Sequence, residues 1–331
     1  MEDFLTPAYL ATIVAEADKL KMAETPATNM FFSQKTYTDN GFVKVPKEVF
    51  NVDDLLPLVE PNSAIPATPI DMSREYTTYE LKSFGDLKMY KPSEVAKFVE
   101  QVAHVTGDTK KAKRAEIANE IINTLNNKVN ATREYMACSA LLGSIKDNKG
   151  NVIETFNIPS ANKLGAKKVS DDTVKVYKLL REMQTAMRTA TKYKGSVALV
   201  LGQSAHEKLM DSPSFQRWME SPANNLSAEE SLTGVEGFIG GKKFPFIILD
   251  DFYYDKGVAK NFFNPDTMLM APTKIFAEFY GSIETNKGSF PQQKLIDTNE
   301  MWNPDGTAYR LQTRSMPIVT LPNGIITATL S

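Results

Sequence analysis

The chain has 331 residues, of which 42% are hydrophobic and 24% are charged, and its formal net charge at pH 7 is −2. This length exceeds the roughly 250 to 300 residues at which a single core stops growing, so it allows two domains or one domain with long appendages. The composition is typical of a globular protein and excludes a chain that is disordered over its whole length. The near-neutral charge excludes a bulk attraction to nucleic acid, because that attraction needs an excess of Lys and Arg.

Few residues are suited to thiol or metal chemistry. The one cysteine, Cys138, cannot form an internal disulfide, and the two histidines, His104 and His206, are far apart in the sequence. The usual zinc sites and thiol-protease sites therefore lack members, and we expect Cys138 to be a small core residue. No signal peptide opens the chain and no apolar run approaches a membrane span, so we expect a cytosolic protein that does not enter a membrane.

The N-terminal part predicts a helix followed by an extended arm. Residues 6–24 carry an apolar stripe at helical spacing, which predicts an amphipathic helix. Six prolines between residues 26 and 69 then interrupt every regular element. This segment is nevertheless rich in Phe, Leu and Val, unlike a disordered linker. We therefore expect an arm whose apolar side chains are buried against another part of the protein.

Residues 73–92 alternate between two faces and predict a β-hairpin. The turn is expected at Gly85-Asp86, with Leu87 and Met89 on the returning strand. Neither face is uniformly apolar, so we expect a two-sided ribbon that projects from the body of the protein.

The remaining pattern mixes helices and strands. Apolar residues at spacings of three and four from Asp108 to Gly143 predict a helix about 50 Å long, whose one-sided stripe suggests a spine lying on a sheet. A second helix is expected from Asp171 or Asp172 to about Lys192. Strands are expected in a hairpin at 145–156 and near 196–201, 244–249, 252–254, 267–270, 309–313 and 325–330. This order indicates an α+β protein, because it lacks the regular alternation of a doubly wound enzyme.

Three motifs that could carry chemistry are incomplete. The sequence HEKLM at 206–210 begins like a zinc-protease helix, but Met210 stands where the second histidine is required. The Gly-rich residues 234–243 match neither the dinucleotide fingerprint nor the P-loop. Asp250 and Asp251 would lie on opposite faces of a strand, which favours a solvated turn over a cation site. We therefore expect no enzyme activity, no metal and no cofactor.

A resemblance to a known family is carried by three segments. Residues 250–270, DDFYYDKGVAKNFFNPDTMLM, contain five aromatic side chains and two turn signals. Their part GVAKNFFNPDTMLMAP resembles the corresponding segment of the major head protein of lambda-type tailed bacteriophages. The sequence REYMACSALLGS, at the end of the long predicted helix, and the C-terminal SMPIVTLPNGIITATLS also resemble their counterparts in that family.

The resemblance implies the tailed-phage capsid fold of the HK-ninety-seven type. This α+β fold has an N-terminal arm, an extended hairpin loop, a peripheral domain with a long spine helix, and an axial domain. We expect the arm at 1–60, the extended loop at 61–95, the peripheral domain at 96–195 with its spine helix at about 109–143, the axial domain at 196–285, and returning C-terminal strands at 286–331.

The resemblance also implies a function. A major capsid protein assembles as hexamers and pentamers into an icosahedral shell that encloses the phage genome, and its location is the virion, assembled in the host cytoplasm. The implied partners are further copies of this chain, a scaffolding protein, a portal, a decoration protein and non-specifically encapsidated DNA, with no membrane. Two alternatives are an encapsulin-like compartment of the same fold and a metal-dependent α+β hydrolase that would use Asp250, Asp251 and His206.

Two sets of residues are candidate contact sites. Open strand edges and exposed apolar faces recruit other chains, which in a closed shell is the function. The candidate contacts between subunits are Phe31, Phe32, Tyr76, Tyr79, Leu81, Phe84, Leu87, Met89, Tyr90, Tyr253, Tyr254, Phe262 and Phe263. The candidate contacts to DNA or to a scaffold are Lys110, Lys111, Lys113 and Arg114, although such a charge run is more often a solvated helix start.

Overall fold

The computed structural model describes thirteen ranges of the chain and contains helices and strands in mixed order. The described residues are 25–46, 76–90, 107–147, 149–170, 174–193, 195–219, 237–239, 242–244, 246–250, 252–255, 258–285, 288–302 and 305–331. The helices among them are α1 Pro26–Phe31, α2 Gly107–Leu141, α3 Val176–Thr191, α4 Gln203–Met210 and α5 Pro213–Met219. None of these helices is long and apolar enough to cross a membrane.

The strands of the described residues are numbered in chain order. They are β1 Gln34–Thr38, β2 Phe42–Pro46, β3 Tyr76–Glu80, β4 Ser83–Tyr90, β5 Ser144–Lys146, β6 Val152–Thr155, β7 Lys163–Lys167, β8 Val197–Gly202, β9 Gly237–Ile239, β10 Lys242–Phe244, β11 Phe246–Leu249, β12 Phe252–Asp255, β13 Val258–Asn261, β14 Thr267–Pro272, β15 Ala277–Thr285, β16 Gly288–Pro291, β17 Leu295–Trp302, β18 Asp305–Ile318 and β19 Ile326–Leu330.

A five-stranded sheet in the order β11-β8-β14-β19-β7 forms one half of the body. Strands β8 and β14 are buried at every position, which explains their almost continuously apolar sequences. Alternate residues of β8 point to opposite faces of the sheet. Leu199 packs with the buried sides of α3, α4 and α5, whereas Val200 packs with the C-terminal end of α2 and with α1. The sheet is therefore covered by helices on both faces.

A six-stranded sheet forms the other half. Its order is β1-β15-β18-β17, with β16 paired to β15 and β4 paired to β18. Helix α2 lies on this sheet, where Leu125 and Val129 pack against Tyr309 and Leu311 of β18. The prediction of a long helix lying on a sheet is confirmed, and its observed bounds are two residues earlier than expected at each end.

The predicted hairpin at 73–92 is wrong. Strand β3 pairs with β2 and strand β4 pairs with β18, so the two strands do not pair with each other. Leu81 and Lys82 connect the two strands, and Gly85 lies inside β4. A Cβ atom at Gly85 would lie 2.3 Å from the Leu311 carbonyl oxygen. The glycine therefore permits a close approach of two strands and does not form a turn.

The ribbon formed by β2 and β3 lies on the body, which also differs from the expected two-sided projection. Val45 and Tyr79 on its inner face are 5% and 9% exposed, and the Tyr79 ring lies 5.9 Å from the Phe156 ring. Strands β1 and β2 both occur in the proline-rich segment for which no regular element was predicted. The prolines of the segment are compatible with both strands, because β1 contains none and Pro46 occupies the last position of β2.

The arm is anchored to α2 by a buried glutamate. Glu134, 1% exposed, accepts hydrogen bonds from the Ala27 and Thr28 backbone N–H groups at 2.6 and 3.0 Å and from the Thr28 hydroxyl at 2.7 Å. These two N–H groups belong to the first turn of α1, where backbone donors lack partners within the helix. Thr25 makes no side-chain cap, so Glu134 takes over that role from another part of the chain.

The neighbouring residue Arg133 connects α2 to the six-stranded sheet. Its Nε and Nη2 atoms donate to the two carboxylate oxygens of Glu278 on β15, at 2.7 and 2.6 Å. The Tyr280 hydroxyl donates to the same carboxylate at 2.7 Å, and burial raises the pKa of Tyr280 far above its usual range. The Tyr280 ring stacks on Tyr37 of β1, with ring centroids 5.4 Å apart. Arg133 and Glu134 thus secure two successive elements of the arm.

Candidate intersubunit surfaces

Several of the aromatic and apolar side chains that were candidate subunit contacts are taken up by the core of the chain itself. Burial leaves them no surface to offer a neighbour, and their role is internal packing. The described members of this group are Phe31 and Phe32 at 0%, Leu81 and Phe263 at 1%, Phe262 at 8% and Tyr79 at 9% exposure. For Phe31 and Phe32, this burial confirms that apolar side chains of the arm pack against another part of the protein.

The outer face of the β2–β3 ribbon exposes two aromatic side chains. Phe42 and Tyr76 are each 59% exposed, and they lie at opposite ends of the paired segment. Lys44, Thr78 and Glu80, also exposed, lie on the same face because side chains alternate along a strand. Among the described strands, β2 and β3 pair only with each other. We call these five residues the ribbon face.

A second apolar surface lies on β4, on the side that points away from α2. Leu87 is 53% exposed and Met89 is 37% exposed. The opposite side of the strand faces the helix, where Asp86 accepts a hydrogen bond from Lys128 that lowers the pKa of the carboxyl. Leu87 lies opposite Arg310 of β18, which forms an ion pair with Asp297 at 3.0 Å. We call Leu87 and Met89 the β4 face.

The hairpin of β12 and β13 provides a third exposed surface. Phe252 and Val258 are 53% and 61% exposed, and every described position of β13 is exposed. Tyr253 turns inward, and its ring lies 5.1 Å from Tyr135 and 5.8 Å from Phe262. This aromatic contact fixes the base of the hairpin on α2. Among the aromatic side chains of segment 250–270 that the structure describes, Phe252 is exposed, whereas Tyr253, Phe262 and Phe263 pack inward.

Sequence reasoning missed part of these surfaces. Phe42 lies in the proline-rich segment, and Phe252 and Val258 lie beside the aromatic residues that were selected. The signal that could have identified them is strand alternation, because Tyr253 points inward while Phe252 points outward. Phe84 is half-buried between the sheet and α2.

The side-chain positions of some candidate residues are not described by the structure. Tyr90 and Tyr254 lie at described strand positions, but their side chains are outside the description. The same holds for the basic run, which occupies the first two turns of α2: Lys110, Lys111, Lys113 and Arg114.

The residues of the alternative hydrolase do not form a complete site. His206 lies on α4, where burial lowers its pKa, and its Nε2 atom is buried without a hydrogen-bond partner. Asp250 is exposed after β11, and Asp251 lies outside the described residues. In the described part of the chain, no group of three His, Cys, Asp or Glu residues is arranged to hold a metal ion.

Comparisons with known proteins support a shell-forming family. The model of the family "Phage major capsid protein E" matches residues 11–330. A search of curated proteins found no match.

The fold is shared with solved structures of low sequence identity. A protein of an Escherichia coli CFT073 prophage, assigned as a capsid protein, has a TM-score of 0.66 at 15% identity, with 99% of each chain covered. The procapsid of satellite phage P4, solved with its size determination protein, has a TM-score of 0.51 at 12% identity, covering 99% of this chain and 92% of that chain. The encapsulin complex of Synechococcus elongatus PCC 7942 has a TM-score of 0.50 at 8% identity, covering 94% and 88%.

Proposed function

We propose that this chain, which belongs to the phage major capsid protein E family, joins six and five copies into rings and closes them into an icosahedral shell through the exposed faces described above. The chain is a structural protein of the phage virion and not an enzyme, because the family model covers nearly its whole length. Further copies of the same chain are therefore its principal partners.

The observation that carries the ring and shell contacts is the coincidence of exposed apolar side chains with strands that lack a second partner. The ribbon face carries Phe42 and Tyr76, and the β4 face carries Leu87 and Met89. Among the described strands, β2, β3 and β4 each have one neighbour, so each offers a free edge for backbone hydrogen bonds. Covering one such side chain contributes about 1.5–3 kcal/mol at most, so several contacts per subunit are needed for a stable shell.

Further partners belong to the same proposal. A scaffolding protein would hold subunits at the correct curvature before closure, a portal would admit the genome, and a decoration protein would cover exposed joints. The related procapsid solved with its size determination protein supports the expectation of an assembly partner. The basic run from Lys110 to Arg114 remains our candidate for contact with DNA or a scaffold.

A division into domains is also part of the proposal, and the packing of the described elements supports it. Strand β7 and helix α3 pack with the five-stranded sheet, although the expected peripheral domain extended to residue 195. We propose that the axial domain consists of residues 160–272 with the C-terminal strand β19, and that α2 with the six-stranded sheet forms the peripheral domain. The extended loop expected at 61–95 lies partly outside the described residues, and its part from 76 to 90 forms β3 and β4.

The test is particle formation by the purified chain, expressed alone and with a scaffolding protein, measured by mass photometry and negative-stain imaging. We expect closed particles or rings of subunits from the natural sequence. Replacing Leu87 and Met89 by Glu is expected to prevent them, because charges would be buried at the joint. Tyr177→Glu, at a 43% exposed position of α3, is the matched control and should assemble normally.

A strictly monomeric natural chain under both conditions would contradict the proposal. Normal particles from the variant with Glu at positions 87 and 89 would show that the β4 face is not a contact between subunits. An encapsulin-like compartment would instead close without packaging a genome, so the nucleic-acid content of particles from infected cells distinguishes the two shells.

A further inference from the structure

Helix α3 carries a row of cations along the middle of its solvent-facing side. Lys178, Arg181, Thr185 and Arg188 follow one another at spacings of three and four residues, which places them on one side of the helix. Lys192 lies directly after the helix, at its C-cap. Lys178 and Arg181 are exposed, and Arg188 is half-buried. At 1.5 Å per residue the row extends for about 21 Å. We call these five residues the cationic face.

The charge around this face contrasts with that of the whole chain. Residues 159–193 contain eight Lys or Arg and three Asp or Glu, whereas the full sequence contains 38 and 40. Strand β7 lies beside the helix, and Lys167 approaches Glu182, the acidic residue of α3, at 3.6 Å. Within the described residues, no ion pair joins an acid to Lys178, Arg181 or Arg188. Their positive charge is therefore available to a partner.

The side chains around the cations indicate what kind of partner fits. Between residues 174 and 193, Tyr177 is the only exposed large hydrophobic side chain of the described residues. A protein partner would be expected to find several aromatic or aliphatic anchors at the centre of its interface. The neighbouring positions are small instead. Thr185, Thr189, Ala186 and Ala190 line an open groove of about 680 Å³. Lys178, Arg181 and Glu182 line it too, and Glu182 pairs with Lys167.

Small side chains between cations suit the backbone of a nucleic acid. They allow a phosphate chain to approach the helix closely, and Lys, Arg and Thr are among the side chains that most often contact phosphate oxygens. At 1.5 Å per residue, the four cations are separated along the helix axis by about 4.5, 10.5 and 6 Å, and Thr185 lies in the widest interval. The face offers no projecting element that would enter a groove and read bases.

We propose that the cationic face of α3 contacts the phosphate backbone of nucleic acid enclosed by the shell, without sequence preference. This proposal rests on the proposed function and includes the placement of α3 on the inner surface of the shell, where enclosed DNA is at high local concentration. It assigns the contact to the axial sheet region, far along the chain from the basic run at the start of α2.

The experiment measures binding of a short fluorescent DNA duplex to purified, unassembled subunits by anisotropy over a range of salt concentrations. The test variant replaces Lys178, Arg181 and Arg188 by Gln. We expect its slope of log affinity against log salt to be smaller by about two to three, since each lost phosphate contact removes about 0.9. A charge-keeping variant, Arg181→Lys with Arg188→Lys, should retain the natural slope.

The matched control replaces three exposed lysines elsewhere, Lys35, Lys146 and Lys149, by Gln and produces the same change in net charge. It should keep the natural slope. Equal reductions of the salt slope in the test and control variants would overturn the proposal, because binding would then follow net charge alone. If the test variant does not fold, Arg181→Glu alone at its exposed position replaces it and should weaken binding at least tenfold.

Two further outcomes separate this proposal from others. Unchanged DNA binding by the test variant, combined with loss of binding to polyglutamate, would overturn it in favour of an acidic protein segment. The test variant should still form closed particles. Failure of the natural chain to form particles would contradict the proposed function, whereas the duplex measurement on free subunits would still decide the DNA contact.

Discussion

At the scale of single residues, the contacts that fix the arm are long-range and polar. Glu134 reaches the first turn of α1 across 106 residues of sequence, and Arg133 reaches Glu278 across 145. A sequence pattern identifies caps only when the partners are neighbours, as Thr25 would be for α1. The burial of the arm was predictable from its apolar composition, but its two polar anchors were not.

The Glu134 anchor predicts a large loss of stability in Glu134→Ala. The substitution leaves the Ala27 and Thr28 backbone donors buried without their partner, which costs about 2–4 kcal/mol of the free energy of unfolding. Urea denaturation followed by circular dichroism measures this loss. Glu120→Ala, at an exposed position of the same helix, is the control and should change stability by less than about 0.5 kcal/mol. A similar small change in both variants would contradict the anchoring role.

His206 predicts a dependence of stability on pH. Burial lowers its pKa below the ordinary value of 6.5, although the neighbouring Glu207 acts in the opposite direction. As the pH falls below 6.5, the unfolded chain binds a proton before the folded chain does, so the free energy of unfolding decreases until the pH passes the lower, folded pKa. His206→Gln should remove this part of the decrease. Parallel stability curves for the two proteins over this range would show that His206 does not titrate differently on folding.

At the scale of helices and strands, the spacing of apolar residues predicted the strongly patterned elements. It failed where the course of the chain depends on which strand a segment pairs with. Helix α2, the later part of the second predicted helix and the buried strands β8, β14 and β19 were predictable, because their apolar spacing matches their burial. The turn predicted at Gly85 was wrong, since a glycine permits both a turn and a close strand contact. Which of the two applies depends on Leu311, which is distant in sequence.

The role of Gly85 predicts a specific defect in Gly85→Ala. The added Cβ would collide with the backbone of Leu311 and Gln312, and backbone atoms cannot move aside as a flexible side chain can. We expect a loss of about 1–3 kcal/mol in the free energy of unfolding, as for other overpacked sites. Hydrogen exchange should show reduced protection in β4 and β18. Ser83→Ala, at an exposed position of the same strand, is the control, and equal protection in both variants would contradict a close strand approach.

At the scale of the whole molecule, the chain combines a well-buried body with exposed faces on its outer strands. The core includes the apolar residues of both sheets, yet Phe42 and Tyr76 remain 59% exposed. The resemblance to phage head proteins implied a protein that recruits copies of itself, but the sequence could not separate internal from external aromatic side chains. That separation is set by which strand face meets the body, as Tyr79 and Tyr76 show on one strand.

The ribbon face predicts a variant that folds but associates poorly. Replacing Phe42 and Tyr76 by Ser should leave the free energy of unfolding within about 0.5 kcal/mol, because both side chains are mainly exposed in the single chain. Light scattering during assembly should show slower growth and fewer particles, since the ribbon would lose apolar contact area. The control is Val152→Ser, at a 56% exposed position of the β5–β6 hairpin. Unchanged assembly of the ribbon variant would exclude this face as a joint.

The position of Cys138 gives the protein an internal reporter. The residue is 1% exposed and belongs to the core where α1, α2 and the five-stranded sheet meet. A thiol buried in this way reacts with a labelling reagent only while its surroundings are transiently open. Because it is the only cysteine of the chain, the rate of modification measures opening at this one junction. The ratio of the modification rates in free subunits and in closed particles gives the additional free energy of local opening that each copy gains in a closed shell.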